Sequence, residues 1–324
     1  MAQQSWRAAK SGDCMGKIRA IIDIGTNSVK LLVADVEGST VTRLFEDSEQ
    51  TRLGQGFYET SRLLPEAILT TAQSVQRWAK RAAAFFPERL EVIATSAARE
   101  ALNQAELLEV VGRESGLRVR VISGETEAAW AYMGVTTNPN LSSKNILVLD
   151  VGGGSTEFIL GKGMTPLASQ SFKMGTVRLL ETFPPKDPPT AEDLQKVTES
   201  IQHLLKSEVA PFLDPYLAQL NGEPLVLVGT GGTSTLLARM ALKTQIFDAD
   251  AVDRVELGTK AVTERNQQLW QLPLALRRMI RGLPAPRADV ILMGSAIYAA
   301  VMRQFNIDLM RISTRGLRFA ALLE

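Results

Sequence analysis

The chain carries one short pattern twice. Laying AIIDIGTNSVKLLVADV over VLDVGGGSTEFILG puts Asp23 on Asp150, Gly25 on Gly152 and Ser28 on Ser155, each 127 positions apart. In both copies an apolar run rich in β-branched residues holds the aspartate near its end. A glycine-containing turn comes next, and a second apolar run leads away, which reads as strand, turn, strand. A pattern repeated together with its flanking strands implies two related half-molecules. Strands alternate with helices after each hairpin, which predicts an α/β sheet in each half. A cleft between two such halves is a natural ligand site.

The rest of the chain fits this alternation. Residues 65–86 have helical spacing and stop before Pro87. Residues 90–95 read as a strand, Ser96 to Val111 as a helix, RVRVIS as a strand, and GETEAAWAYMGV as the opening of a helix. TTNPNLSSKN is a turn cluster, and PPKDPP at 184–189 breaks any helix. Thr190 with Asp193 forms a capping-box variant ahead of the helix that holds His203. PLVLVGTGGTSTLLARM reads as strand, glycine turn, helix; residues 288–305 as a buried helix; RGLRFAALLE as a short terminal helix.

Composition narrows the chemistry. Thirty-six Lys and Arg residues nearly cancel 35 Asp and Glu, so nothing in the whole-chain balance points to a nucleic-acid or membrane partner. An anionic substrate has to be met by a local site. The one cysteine, Cys14, excludes a disulfide within the chain or a cysteine metal site. It lies in the N-terminal tail and is no nucleophile candidate. The one histidine, His203, excludes a histidine metal cluster and is expected on a helix face without a catalytic role. Any metal is then held by oxygen, which favours Mg2+ or Mn2+. No apolar run approaches the length of a membrane span, and the tail lacks the apolar stretch of a signal peptide, so a cytoplasmic protein is expected. The tail reads as a loose extension, with Met15 as a second possible start.

Glycine turns let backbone N–H groups approach a phosphate closely, because no Cβ intervenes. GTNS (25–28) and GGGST (152–156) both fit, or simply need glycine to turn. Neither is a Walker loop, and neither opens a helix as a dinucleotide loop does. Asp150 ends a strand and Glu157 lies seven residues later on the partner strand. Both can then face the same cleft and could hold Mg2+ directly or through water, or each could serve a turn or the surface; Asp23, the repeat mate of Asp150, could join them. Glu125 and Glu127 begin a helix, where acids commonly serve the helix dipole; the alternative is a general base. Thr95, Ser96 and Arg99 stand at a strand end and a helix start, suited to an anion clamp or to capping. GTGGTST (229–235) could wrap a phosphate or ribose, or be a plain turn. Lys173 and Arg178 could complement phosphate charge or flank a turn.

IDIGTNSVKLL, ATSAARE, ISGETEA, LDVGGGSTEF, KMGTVRLLE, VGTGGT and STRGLRFAAL resemble, in order, the motifs of the exopolyphosphatase and guanosine pentaphosphate phosphohydrolase family, over roughly residues 17–324. That resemblance implies two ribonuclease-H-like domains of the actin-like ATPase kind facing a cleft. It implies Glu127 as the catalytic base, with Asp150 and Glu157 at a Mg2+ (or Mn2+) site. It implies phosphate contacts from Asn27, Ser28, Arg99, Gly153, Gly154, Ser155 and Thr156, with Gly231 and Gly232 in a third loop. Glu125 falls at a more variable position of the family's motif, and Lys30 stands where the first motif often has a basic or aromatic residue. The expected division is a flexible tail over 1–16, a first domain over 17–136 completed by 307–324, and a second domain over 137–306. The chain resembles a short, two-domain member, without the added helical region of long members. The implied substrates are inorganic polyphosphate or guanosine pentaphosphate, and a homodimer is expected. Competing expectations are a kinase on the same fold, or a regulator that binds polyphosphate or alarmone.

Overall fold

A computed structural model describes residues 16–138, 140–141 and 143–324. Cys14 and most of the expected tail lie outside the described residues, as do two positions of the TTNPNLSSKN turn cluster. The strands are β1 (Lys17–Ile24), β2 (Ser28–Glu37), β3 (Thr40–Gln50), β4 (Arg89–Ala94), β5 (Val119–Val121), β6 (Asn145–Val151), β7 (Thr156–Lys162), β8 (Thr165–Phe172), β9 (Leu225–Thr230), β10 (Glu256–Gly258) and β11 (Leu309–Ile312).

They form two sheets, ordered β3-β2-β1-β4-β5 and β10-β11-β9-β6-β7-β8. In each sheet a three-strand antiparallel meander is extended by two parallel strands: β1 with β4 and β4 with β5, then β6 with β9 and β9 with β11. Read outward from the meander, the sheets have one topology, with β10 added at the edge of the second. The repeat seen in the sequence is therefore a repeat of whole units, as the ribonuclease-H-like reading requires.

Each central strand is an almost unbroken apolar run because both its faces are covered. Alternate side chains of β1 and β2 go to opposite faces. Ala20, Ile22, Leu31 and Val33 pack with Ile68, Ala72 and Val75 of the helix Pro65–Ala83. Ile21, Leu32 and Ala34 pack with Trp130 and Phe319. In the second unit Leu147 and Leu149 join the large helical core around Ile297 and Tyr298. Ile146 and Val148 meet Ala128, Ala131, Tyr132 and Val135. The helix Gly124–Thr136 thus packs on both sheets. Its apolar residues on all sides are what a helix wedged between two layers needs, and Glu127 lies in its first turn.

Two expectations are corrected. The segment 307–324 is not a single addition to the first unit; it is divided. Met310 and Ile312 of β11 lie in the second core, and β11 pairs with β9. The chain returns to the first unit only at the helix Leu317–Ala321. The helix expected over Ser96–Val111 is broken into Ser96–Glu100 and Gln104–Ser115. The cause is Asn103, whose buried amide accepts from Leu63 N at 2.8 Å and donates to Leu63 O at 3.0 Å. A side chain that satisfies another segment's backbone in this way competes with helix continuation. The expected capping box at Thr190 and Asp193 is present.

Candidate active site

The two hairpin turns close alike. Gly25 N donates to Ser28 O and Gly152 N to Ser155 O, each at 3.0 Å. The turns face and touch one another: a methyl group on Gly153 would sit 2.8 Å from Thr26 Cβ, and one on Gly154 would collide with the Ser96 and Tyr58 hydroxyls. A cavity of about 60 Å3 lies between them. Asn27, Ser28, Gly153, Gly154 and Ser155 line it together with Asp23, Glu127, Asp150, Glu157 and Gly232. The volume corresponds to several water-sized spaces, suited to one phosphate group.

Three expected contacts do not line this cavity. Thr156 is fully buried and its hydroxyl donates to the Met174 carbonyl, so it is a structural residue of β7 and not a phosphate contact. Arg99 does not line the cavity. Its Nη1 donates to Glu127 Oε2 at 2.9 Å and to Ile122 O at 3.0 Å, so it orients the glutamate. Gly231, at φ +81°, leaves room for Asp150, whose carboxylate a side chain there would strike, and it lines the larger cavity that adjoins this one.

The carboxylates divide along the repeat. Asp23 is directly opposite Lys30 in the β1–β2 register, and Asp150 is directly opposite Glu157 in the β6–β7 register. Directly opposed residues share a face. Lys30 and Glu157 are themselves 127 positions apart, so equivalent sites carry opposite charges. Lys30 Nζ lies 3.9 Å from Asp23 Oδ2. The second pair is two acids, and Glu157, 1 % exposed, accepts from the Ser171 hydroxyl at 2.7 Å and has the Ser155 hydroxyl beside it.

Burial, and then the charges of Glu127 and Asp150, push the Glu157 carboxyl well above the usual range. Burial and Asp23 raise Asp150 against the pull of Lys30. Burial raises Glu127 to about 7, opposed by Arg99 and aided by Asp23 and Asp150. The neighbouring Glu125 is exposed and held below the usual range by backbone and Ser123 hydrogen bonds. Burial therefore separates two acids that look alike in sequence.

These shifts set the pH response of the metal-free protein. An acid raised in the fold stabilises it below its unfolded value, about 4.5, and that contribution is lost as pH rises through the folded value. For Glu127 the window runs from about 4.5 to about 7, and the loss is about 3 kcal/mol. Thermal unfolding in EDTA is expected to weaken over that window more in the native protein than in Glu127→Gln. Equal slopes would contradict the burial of an ionisable Glu127.

Arg287 joins the site with no forewarning in the sequence. Its Nη1 donates to Ser28 Oγ at 2.8 Å, it lines the cavity, and burial pulls it down to about 10. Gly232 leaves room for its guanidinium. Nothing near APRAD marks this arginine, because only the fold brings residue 287 to residue 28. A second cavity of about 420 Å3 adjoins the first, sharing Asp23, Ser28, Lys30, Asp150, Gly232 and Arg287. Leu236, Phe247, Pro284, Pro286 and Leu317 give it apolar walls.

Among the described residues no group of three or more His, Cys, Asp and Glu side chains converges as a complete metal cage. The donor set nonetheless suits a hard cation held partly by water and substrate. Mg2+ commonly takes one or two carboxylates plus phosphate oxygens. Glu157 stands where the first hairpin has Lys30, so the second hairpin holds no cation of its own in that register, while the pull of Lys30 on Asp150 leaves that acid raised. Asp23 Oδ1 is buried without a hydrogen-bond partner.

Residues 32–324 match the model of the Ppx/GppA phosphatase family. The chain is 32% identical over 297 residues to "Exopolyphosphatase 2" of Mycobacterium tuberculosis, covering 89% of this chain and 90% of that protein. It is 32% identical over 300 residues to "Guanosine-5'-triphosphate,3'-diphosphate pyrophosphatase" of Vibrio atlanticus, covering 92% of this chain and 57% of that longer protein. The solved structure of the Aquifex aeolicus PPX-GPPA enzyme is similar with a TM-score of 0.75 and 33% identity, over 95% of this chain and 99% of that one.

Proposed function

The chain belongs to the Ppx/GppA phosphatase family, and on that premise we propose that it is a phosphohydrolase releasing terminal orthophosphate from guanosine pentaphosphate or inorganic polyphosphate. The observation that carries this reading is Glu127: a buried carboxylate, held by Arg99, on the wall of a phosphate-sized cavity between two glycine turns.

The terminal phosphate lies between the turns. Backbone N–H groups, the Ser28 and Ser155 hydroxyls, Lys30 and Arg287 offset its charge. Asp150 and Glu157 would hold Mg2+ (or Mn2+), which when bound supplies charge neutralisation on the phosphate oxygens. Glu127 orients a water and takes its proton; a base that titrates near 7 suits that task at neutral pH. Arg99 fixes the direction of the carboxylate. Catalysis here is mainly positioning and electrostatics.

The larger cavity receives the remainder of the substrate, beyond the terminal phosphate. Its walls mix Lys30, Arg239, Arg287 and Arg318 with Asp23, Glu46, Asp47 and Asp150, so it is no cationic track for an extended polyanion. Its volume and apolar patches favour a nucleoside. Phosphate release from guanosine pentaphosphate, tripolyphosphate and long polyphosphate is the test. We expect the highest kcat/KM for guanosine pentaphosphate. A preference for long polyphosphate would overturn the nucleoside assignment, and binding without release from any of them would favour a regulator. Cytoplasmic location and a homodimer belong to the same reading. Among the described residues no helix is long and apolar enough to cross a membrane.

A further inference from the structure

We propose that Arg178 and Glu100 form a latch that holds the two phosphate-binding turns against each other, so that both are positioning residues for the reaction. Its kinetic consequence rests on the phosphohydrolase reading; its geometry does not.

The helix Thr176–Thr182 comes after β8 in the second unit. Its first three amides donate to the glycine turn: Thr176 N to Gly152 O at 3.0 Å, and Val177 N and Arg178 N to Gly153 O at 2.8 and 3.1 Å. A side chain on Gly175 would strike the Gly153 backbone. Helix and turn are therefore joined as one body.

Arg178 ties that body to the first unit. Its Nε donates to Gly154 O at 2.8 Å, while Nη2 donates to Glu100 Oε1 at 2.9 Å and Oε2 at 2.8 Å. The guanidinium lies 4.3 Å from the centre of the Tyr58 ring. Glu100 also accepts from Ser96 Oγ at 2.9 Å. Burial would raise Glu100, but the bonds from Arg178 and Ser96 outweigh it and hold the acid below the usual range. Three residues further along the helix, Glu181 accepts from Gly56 N at 2.6 Å and Tyr58 N at 3.2 Å. One short helix thus holds the first unit with side chains of both signs.

The latch also reaches the base. Glu100 ends the helix Ser96–Glu100, and the preceding residue, Arg99, holds Glu127. Arg178 therefore links the Gly152–Ser155 turn to the helix that orients the catalytic carboxylate. A partly buried, multiply bonded ion pair fixes geometry better than an isolated surface pair. Small displacements of a phosphate cradle are costly, because catalysis depends on alignment.

Hydrogen–deuterium exchange of the ligand-free protein tests the geometry without any activity. In Glu100→Gln, Arg178→Met and the milder Arg178→Lys, amides of 25–28 and 152–155 are expected to exchange faster, by about tenfold in the first two. Amides of β6 and β9 keep their rates. Unchanged exchange in the turns overturns the latch, and so does equal acceleration across β6 and β9. For phosphate release, each of the first two variants is expected to lose about 10- to 100-fold in kcat/KM, and the double variant to lose no more than the worse single one. Additive losses overturn the coupling. Should the native protein release no phosphate from any substrate, the hydrolase reading fails, and the exchange result alone decides the latch.

Discussion

Glu127→Gln is expected to lower the turnover number for phosphate release by about 10²–10⁴ while leaving KM within a few-fold. Glutamine keeps the size of the side chain and can still face Arg99, but it cannot take a proton from water. The native carboxylate is 7 % exposed and accepts from Arg99 Nη1 at 2.9 Å. Its removal is expected to leave the turns intact, because the carboxylate bonds to Arg99 and the turns are closed by their own backbone hydrogen bonds. Calorimetry should show the variant at least as stable as the native protein at neutral pH, since a buried charge has gone. Release rates for native and variant protein at saturating substrate are the measurement. Equal turnover would remove Glu127 from the mechanism and leave the cavity without a base.

Chelation of divalent metal is expected to lower phosphate release by about 10³ or more, with recovery on adding Mg2+ or Mn2+. Loss of a cation from a phosphoryl-transfer site removes several kcal/mol of charge stabilisation. The physical ground is the contrast within the repeat. Asp23 faces Lys30, while at the equivalent place Asp150 faces Glu157 and both acids are raised by burial and by neighbouring negative charge. A bound cation would relieve that repulsion. Mg2+ should therefore also raise the unfolding temperature of the ligand-free protein, and Asp150→Asn should lose most of that gain. Full activity in EDTA, with no thermal response to Mg2+, would show that the acids serve some other purpose.

Much of the site was legible because it is local. Asp150 and Glu157 are seven residues apart on one hairpin, so chain connectivity alone puts them opposite each other. The same holds for the turns, whose glycines, serines and closing hydrogen bonds repeat. Other features needed the fold. Nothing in SGETEA separates Glu125 from Glu127; one is exposed, and the other is wedged between two sheets beside Arg99. Thr156 shares a motif with Ser155, but strand alternation turns it away from the cavity. The division of 307–324 was missed because β11 is a four-residue strand whose apolar residues are decided by its neighbour β9.

The amino-acid sequence by itself determined that there are two related units, that each contributes a glycine turn, and that one turn carries paired acids. It did so because a hairpin register is set by a few adjacent residues. Only the tertiary structure decided which acid is buried, that Arg287 bonds to Ser28 across the cleft, and that Arg178 locks the turns through Glu100. Those contacts join residues 78 to 259 positions apart, and no local pattern encodes which distant side chain will complete a site.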